Sequence, residues 1–172
     1  MQWIYNYTLS FIIFLPFVSA VLSCFVRSLK LAKTMHLIIS NVVFIASLYT
    51  WFNFDTSTSH LQFHEEHNWI PSLGIKYIVG LDGLNILLVI LTTFLVPISL
   101  ISLLDSKMKN LKEFLALIMY LESGIIGALV AFDIILFYVF WEVLLIPMYF
   151  IIGIWGRTNR IYATTKFIIY NF

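Results

Sequence analysis

The chain has 172 residues, of which 61% are hydrophobic and 17% aromatic, and only 11% are charged. With a mean hydropathy of +0.95, this composition excludes an ordinary soluble domain and places the chain among integral membrane proteins. The formal net charge of +1 comes with no basic stripe suited to nucleic acid, and the lone Cys24 excludes an intrachain disulfide or a cysteine metal cluster.

The expected fold is all-α, a polytopic transmembrane helix bundle forming a single membrane domain. Apolar runs long enough to cross a hydrocarbon core extend from about Tyr5 to Val26, Met35 to Phe54, Val79 to Leu104, Phe114 to Phe132 and Ile134 to Trp155. A sixth helix is expected to start at Tyr162 and run to Phe172. The first run is too long for the core of a signal peptide, and no Lys or Arg precedes Arg27, so a retained helix is expected. Between the second and third runs lies the one long polar connection, Asp55 to Ile78, which carries Pro71 and Gly74 and reads as an ordered surface loop.

The basic residues set the expected orientation. Arg27, Lys30 and Lys33 follow the first run, Lys107, Lys109 and Lys112 follow the third, and Arg157, Arg160 and Lys166 follow the fifth. Lys76 alone falls on the opposite side. The positive-inside rule places the nine in the cytoplasm or mitochondrial matrix and the N-terminus outside.

Two acids lie at membrane depth, Glu122 in the fourth run and Glu142 in the fifth. Counted outward from a tight turn at Asp133, they lie about 16 Å and about 13 Å deep, each roughly half of a core about 30 Å thick. A charge there is costly, and a carboxyl in low dielectric disfavours its ionised form, so such acids are candidates to take and release protons. A protonated Glu hydrogen-bonded to a neighbouring helix is the plainer reading, and it weighs more for Glu122. Pro147 loosens the helix just beyond Glu142, while Trp141 is as compatible with packing as with function.

The long loop holds HLQFHEEHNW, with His60, His64 and His67 beside Glu65 and Glu66. On a helix the three histidines would share one face and could hold zinc; an irregular interfacial loop with solvated histidines is the stronger expectation. At GLDGLN, Asp82 and Asn85 stand where a helix N-terminus favours an acid and needs capping, and a structural role is expected for both.

Three blocks, IKYIVGLDGLNILLVILTTFLVPI, FDIILFYVFWEVLLIPMYFIIGIWG and RIYATTKFIIYNF, resemble in that order the N-terminal part of chain 4 of proton-pumping NADH:ubiquinone oxidoreductase, respiratory complex I. The resemblance is strong from about Gln62 onward and weak over the first two runs. It implies that Glu142 is the proton-channel acid of an antiporter-like subunit, modulated by a lysine on a later helix. Glu122 is carried over more weakly, as a possible secondary acid, and Lys166 as a possible relay or structural residue. It also implies a mitochondrial inner membrane, with a bacterial plasma membrane as the alternative. Expected partners are neighbouring antiporter-like chains and anionic lipids such as cardiolipin.

The resembled subunit has about fourteen helices, so the expectation is a split subunit completed by a second polypeptide carrying the partner lysine, with one longer continuous chain as the alternative. No cofactor is expected in this chain; FMN, iron–sulfur clusters and ubiquinone belong elsewhere in such a complex. The rival readings are a subunit of a multisubunit cation/proton antiporter and a structural piece of the membrane arm without its own proton path.

Overall fold

The computed structural model describes residues 7–58 and 60–171. In chain order these form α1 (Thr8–Phe25), α2 (Leu29–Phe52), β1 (Gln62–Ile70), β2 (Ile75–Leu81), α3 (Asn85–Ser102), α4 (Leu111–Val130), α5 (Ile134–Trp155) and α6 (Arg160–Asn171). The first five helices are each long and apolar enough to cross a membrane. They alternate in direction, with α1 against α2 and α4, α3 against α2 and α4, α5 against α4, and α6 against α5. Tyr5 and Phe172, the outer bounds expected for the first and sixth helices, lie outside the described residues.

The core is in two parts along the bundle. At the hairpin end, Leu9, Ile12, Ile13 and Val43 pack with Ile126 and Val130 of α4 and with Val79 and Leu81 of β2. At the basic end, Ala20, Leu100, Leu111, Leu115 and Met119 form a second cluster. Close approach of α4 and α5 depends on Gly124 and Gly127. A Cβ on Gly124 would stand 2.7 Å from Leu144 Cδ2, and one on Gly127 would enter the Phe140 ring.

Charge complements helix ends at both faces of the bundle. Helices α1, α3 and α5 all start at the hairpin end, where their free N–H groups and positive dipole ends favour carboxylates. Glu65 of β1 accepts from the N–H groups of Leu9 (2.8 Å) and Ser10 (3.2 Å). Asp82 Oδ1 accepts from Leu84 and Asn85 at 2.9 and 2.7 Å, and Asp133 Oδ1 from Ile135 and Leu136 at 2.9 and 3.1 Å. At the other face, cations reach the C-terminal carbonyls of the same three helices. Lys112 Nζ donates to Val26 O at 3.1 Å, Arg160 to Ile154 O at 2.9 Å, and Lys33 Nζ to Leu104 O. The segregated basic residues therefore also stabilise helix ends.

Beyond shifts of one to three residues, such as α4 starting at Leu111 rather than Phe114 and α6 at Arg160 rather than Tyr162, three features differ from the sequence reading. Helix α2 starts at Leu29 rather than Met35, because Ser28 Oγ accepts the Leu31 N–H at 3.4 Å and the Lys33 ammonium is taken up by the Leu104 carbonyl. Helix α3 starts at Asn85 rather than Val79, because Val79–Leu81 pair as sheet.

The third difference is the long connection, which is a β-hairpin rather than an irregular loop. β1 and β2 pair antiparallel with Glu65 opposite Val79 and His67 opposite Tyr77. A short 3-10 turn, Pro71–Leu73, closes at Gly74, whose φ of 68° suits glycine. An irregularity between Gln62 and Glu65, with Phe63 at φ 51°, accompanies the turning of Phe63 and Glu65 into the protein. The hairpin also ties down the α4–α5 turn, where Phe132 N donates to Ile78 O at 2.8 Å and Ala131 bridges to Val79.

Candidate functional site

Glu122 stands eight residues before the end of α4 at Val130, and Glu142 eight residues after the start of α5 at Ile134. At about 1.5 Å per residue both lie about 12 Å from the turn, level with one another and near mid-bundle. The sequence count placed them about 16 and 13 Å from Asp133. What it left open was rotation, and here the two acids differ.

The glycine face of α4 meets Phe140, Val143 and Leu144 of α5, which fixes the rotation of both helices. Glu142 is half-buried on the flank of α5, with the Tyr138 side chain one turn earlier hydrogen-bonded to it. Pro147 is buried five residues on, and without an N–H it leaves the Val143 carbonyl free of its helical partner. Trp141 is 45% exposed and packs on Phe137 at 6.0 Å between ring centroids, so packing accounts for it.

Glu122 points inward. It is 1% exposed, lies between Met119 of the basic-end cluster and Ile126 of the hairpin-end cluster, and neither carboxyl oxygen has a hydrogen-bond partner. The adjacent Ser123 lines a groove of about 520 Å³ between α1, the hairpin and α5, walled by Phe14, Phe17 and Phe140. No hydrogen bond joins Glu122 to Glu142 among the described residues.

Lys166 is exposed on α6, with Nζ 5.8 Å from the Tyr162 ring centroid and 5.6 Å from that of Tyr170. It forms no ion pair with either acid among the described residues; the ion pairs there join Glu66 to Lys76 at 2.6 Å and to His64 at 4.0 Å.

The strand geometry separates the histidines. His64 and His67 are three apart in β1, hence on opposite sides, and His60 precedes the strand. His67 stacks on Tyr7 and Tyr77 at 5.9 and 6.3 Å. The described residues contain no group of three or more His, Cys, Asp or Glu arranged to hold a metal. Asp82 and Asn85 have the structural role expected. Besides the cap, Asn85 accepts the Asp82 N–H at 2.8 Å and donates to Gly80 O and Leu129 O at 3.1 and 3.3 Å.

The sequence reading missed two things. Glu65 was grouped with the histidines, yet it is 2% exposed and bonds to Ser10 Oγ, which lies 2.9 Å from the Tyr77 hydroxyl. The second is a polar stripe on α2, where His36, Ser40, Ser47 and Thr50 are all fully buried. His36 Nδ1 lies 2.7 Å from Ser19 Oγ of α1, and Ser47 Oγ lies 2.7 Å from Thr93 Oγ1 of α3. Spacings of four, seven and three put these residues on one helix face, a signal that was present in the sequence.

Five helices long and apolar enough to cross a membrane, an end hairpin and two acids near mid-bundle make up a polytopic helical domain. The family described as NADH:quinone oxidoreductase/Mrp antiporter, TM, matches over residues 131–172, which include Glu142. The chain is 40% identical over 171 residues to NADH-quinone oxidoreductase subunit M of Rickettsia bellii, covering 95% of this chain and 35% of that protein. It is 35% identical over 167 residues to NADH-ubiquinone oxidoreductase chain 4 of Arabidopsis thaliana, covering 95% and 34%. It is 37% identical over 161 residues to F(420)H(2) dehydrogenase subunit M of Methanosarcina mazei, covering 94% and 32%. Among solved structures, respiratory complex I from Thermus thermophilus with bound NADH superimposes with a TM-score of 0.79 at 24% identity, covering 94% of this chain and 32% of the matched chain. The resemblance to the N-terminal part of chain 4 is therefore borne out, and the chain spans about a third of the length of the curated relatives it matches.

Proposed function

We propose that this chain forms the N-terminal bundle of a proton-translocating membrane subunit that couples electron transfer from NADH to a quinone with proton movement. Glu142 is the exchanging acid in this reading. The observation that carries it is the placement of Glu142: mid-depth on α5, half-buried on a flank rather than sealed in the core, within the segment matched by the family. A sealed carboxylate could not meet a modulating cation arriving from another helix, whereas one on a flank can. An approaching Lys⁺ favours the ionised form, and its withdrawal favours uptake of a proton; alternation of the two moves protons without any chemistry in the chain itself.

The remaining parts of the subunit, including that cation, come from residues beyond this bundle, as a second polypeptide in the reading favoured here or within one longer chain. Other antiporter-like chains and anionic lipids such as cardiolipin flank it. FMN, iron–sulfur clusters and ubiquinone act in other chains, so this one is not catalytic alone. The membrane is the mitochondrial inner membrane, or the plasma membrane if the source is bacterial, with the basic end facing the matrix or cytoplasm. Support for the electron-transfer reading is the naming of two relatives as NADH:quinone oxidoreductase subunits.

The family description also includes Mrp antiporters, which supports a second reading, cation/proton exchange without redox chemistry. The purified assembly separates the two: NADH oxidation that acidifies one side of a vesicle supports the first, and exchange driven only by a cation gradient supports the second. In the same preparation Glu142→Gln lowers transport by this subunit's share on either reading, and transport at the wild-type rate overturns the role of Glu142.

A further inference from the structure

Four buried side-chain polar atoms among the described residues have no hydrogen-bond partner: Ser23 Oγ, His36 Nε2 and both carboxyl oxygens of Glu122. They belong to α1, α2 and α4, three helices packed on one another, and they fall in sequence along the bundle axis.

Two contacts align α4 with α1. Lys112 reaches Val26, and the Tyr120 ring lies 5.3 Å from that of Phe17, so the helices are antiparallel. Glu122, two residues past Tyr120, is therefore about one turn nearer the hairpin end than Ser19. Ser19 holds His36 Nδ1, and Ser23 lies one turn nearer the basic end on the same face of α1. From the basic end the order is Ser23, then Ser19 with His36, then Glu122, with axial steps of about 6 Å each. Steps of this length are bridged by one or two waters, for which these unpartnered groups supply polar partners.

We propose that Ser23, His36 and Glu122 form a hydrated proton-holding path between α1, α2 and α4, which gives Glu122 access to the basic end without passing through Glu142. This rests on the proton-translocating reading above and adds a second acid with its own entrance. A proton enters from water at the basic end and is taken by His36 Nε2. The N–H bond then breaks as an O–H bond forms on the Glu122 carboxylate through the intervening water. His36 returns to its neutral form with Nδ1 still on Ser19, and no electrons change hands. Residue by residue, the ionisable groups on the packed elements are Cys24 on α1; Lys30, Lys33 and Tyr49 on α2; Lys112, Glu113 and Tyr120 on α4; and Tyr138, Glu142 and Tyr149 on α5, while α3 has none. None of these is buried, whereas His36, Glu122 and, on β1 at the hairpin end, Glu65 are.

The test is redox-induced infrared difference spectroscopy of the intact assembly, with proton translocation measured on the same preparations. Glu122→Gln should remove one protonated-carboxyl band. His36→Gln and the milder Ser19→Ala, which removes only a partner of His36, should displace that band. Translocation should fall several-fold in Glu122→Gln and in His36→Gln, with the double variant no worse than the poorer single, because both serve one path. The proposal is overturned by a Glu122→Gln spectrum that loses no band, by a band indifferent to His36→Gln and Ser19→Ala, or by losses that multiply in the double variant. If Ser19→Ala alone assembles, its band decides. If the bands behave as stated while Glu142→Gln translocates at the wild-type rate, it is the role of Glu142 that fails and the path stands.

Discussion

Glu65 joins the hairpin to the start of α1, and its removal has a size that can be worked out. Its carboxylate accepts from Leu9 N at 2.8 Å, Ser10 N at 3.2 Å and Ser10 Oγ, and it is 2% exposed. Glu65→Ala deletes a helix cap worth about 1 kcal/mol and strands buried donors that bonded a charged acceptor, at roughly 1.5 to 3 kcal/mol for such a bond. Relief of the carboxylate's own burial offsets part of this, leaving a net loss of about 1 to 3 kcal/mol in docking of the hairpin, roughly a 5- to 140-fold rise in its open population. Hydrogen–deuterium exchange of the intact assembly reads this directly in the amides of β1, β2 and the first turn of α1. Glu65→Gln keeps an acceptor for the α1 amides and should lose much less. Unchanged protection in Glu65→Ala would show that the clamp is not what holds the hairpin.

The same carboxyl predicts a pH dependence. Burial pushes it above its ordinary value of 4.5, opposed only in part by the hydrogen bonds from Ser10 and Leu9. The docked hairpin therefore binds the proton more tightly than the undocked one. The resulting contribution to docking is complete below the ordinary carboxylate range and is lost as pH rises through the raised value. Corrected for intrinsic exchange, hairpin protection should decline over that interval in the wild type and stay flat in Glu65→Gln. Gly127→Ala forces a Cβ into the Phe140 ring and should destabilise the α4–α5 contact by about 1 to 3 kcal/mol. A thermal-stability assay should show partial recovery when Phe140→Leu is added. Asn85→Ala orphans the buried Gly80 carbonyl and the half-buried Leu129 carbonyl and should cost about 1 to 3 kcal/mol by the same assay. Lys76→Ala breaks only an exposed pair with Glu66 and should leave stability unchanged.

The spans were legible because a helix that faces lipid must be apolar over a fixed length, and composition alone records that. The hairpin was not. Its strand residues QFHEEHNWI show no sustained alternation of polar and apolar residues, and the partner that buries Glu65 lies 55 and 56 residues away in sequence. Helix α2 begins six residues before the apolar run because Lys30 and Lys33 sit on turns whose cap is Ser28, a local signal outweighed by hydropathy. VGLDGL reads as apolar, but Asp82 and Asn85 stop the strand and start the helix through side-chain bonds. The depths of Glu122 and Glu142 followed from counting residues; their facings did not, because rotation is set by where Gly124 and Gly127 admit α5. The polar stripe from His36 to Thr50 could have been found by asking which polar residues of an apolar helix share a face.

The central claim is that Glu142 exchanges the proton. It is tested most directly by the ratio of protons moved to electrons transferred in vesicles containing the intact assembly, with Glu142→Gln and Glu142→Asp beside the wild type. The account predicts that Glu142→Gln brings the ratio down by this subunit's share and slows coupled quinone reduction, while Glu142→Asp, which keeps an ionisable group, retains part of both. A Glu142→Gln assembly with the wild-type ratio and the wild-type rate would contradict it.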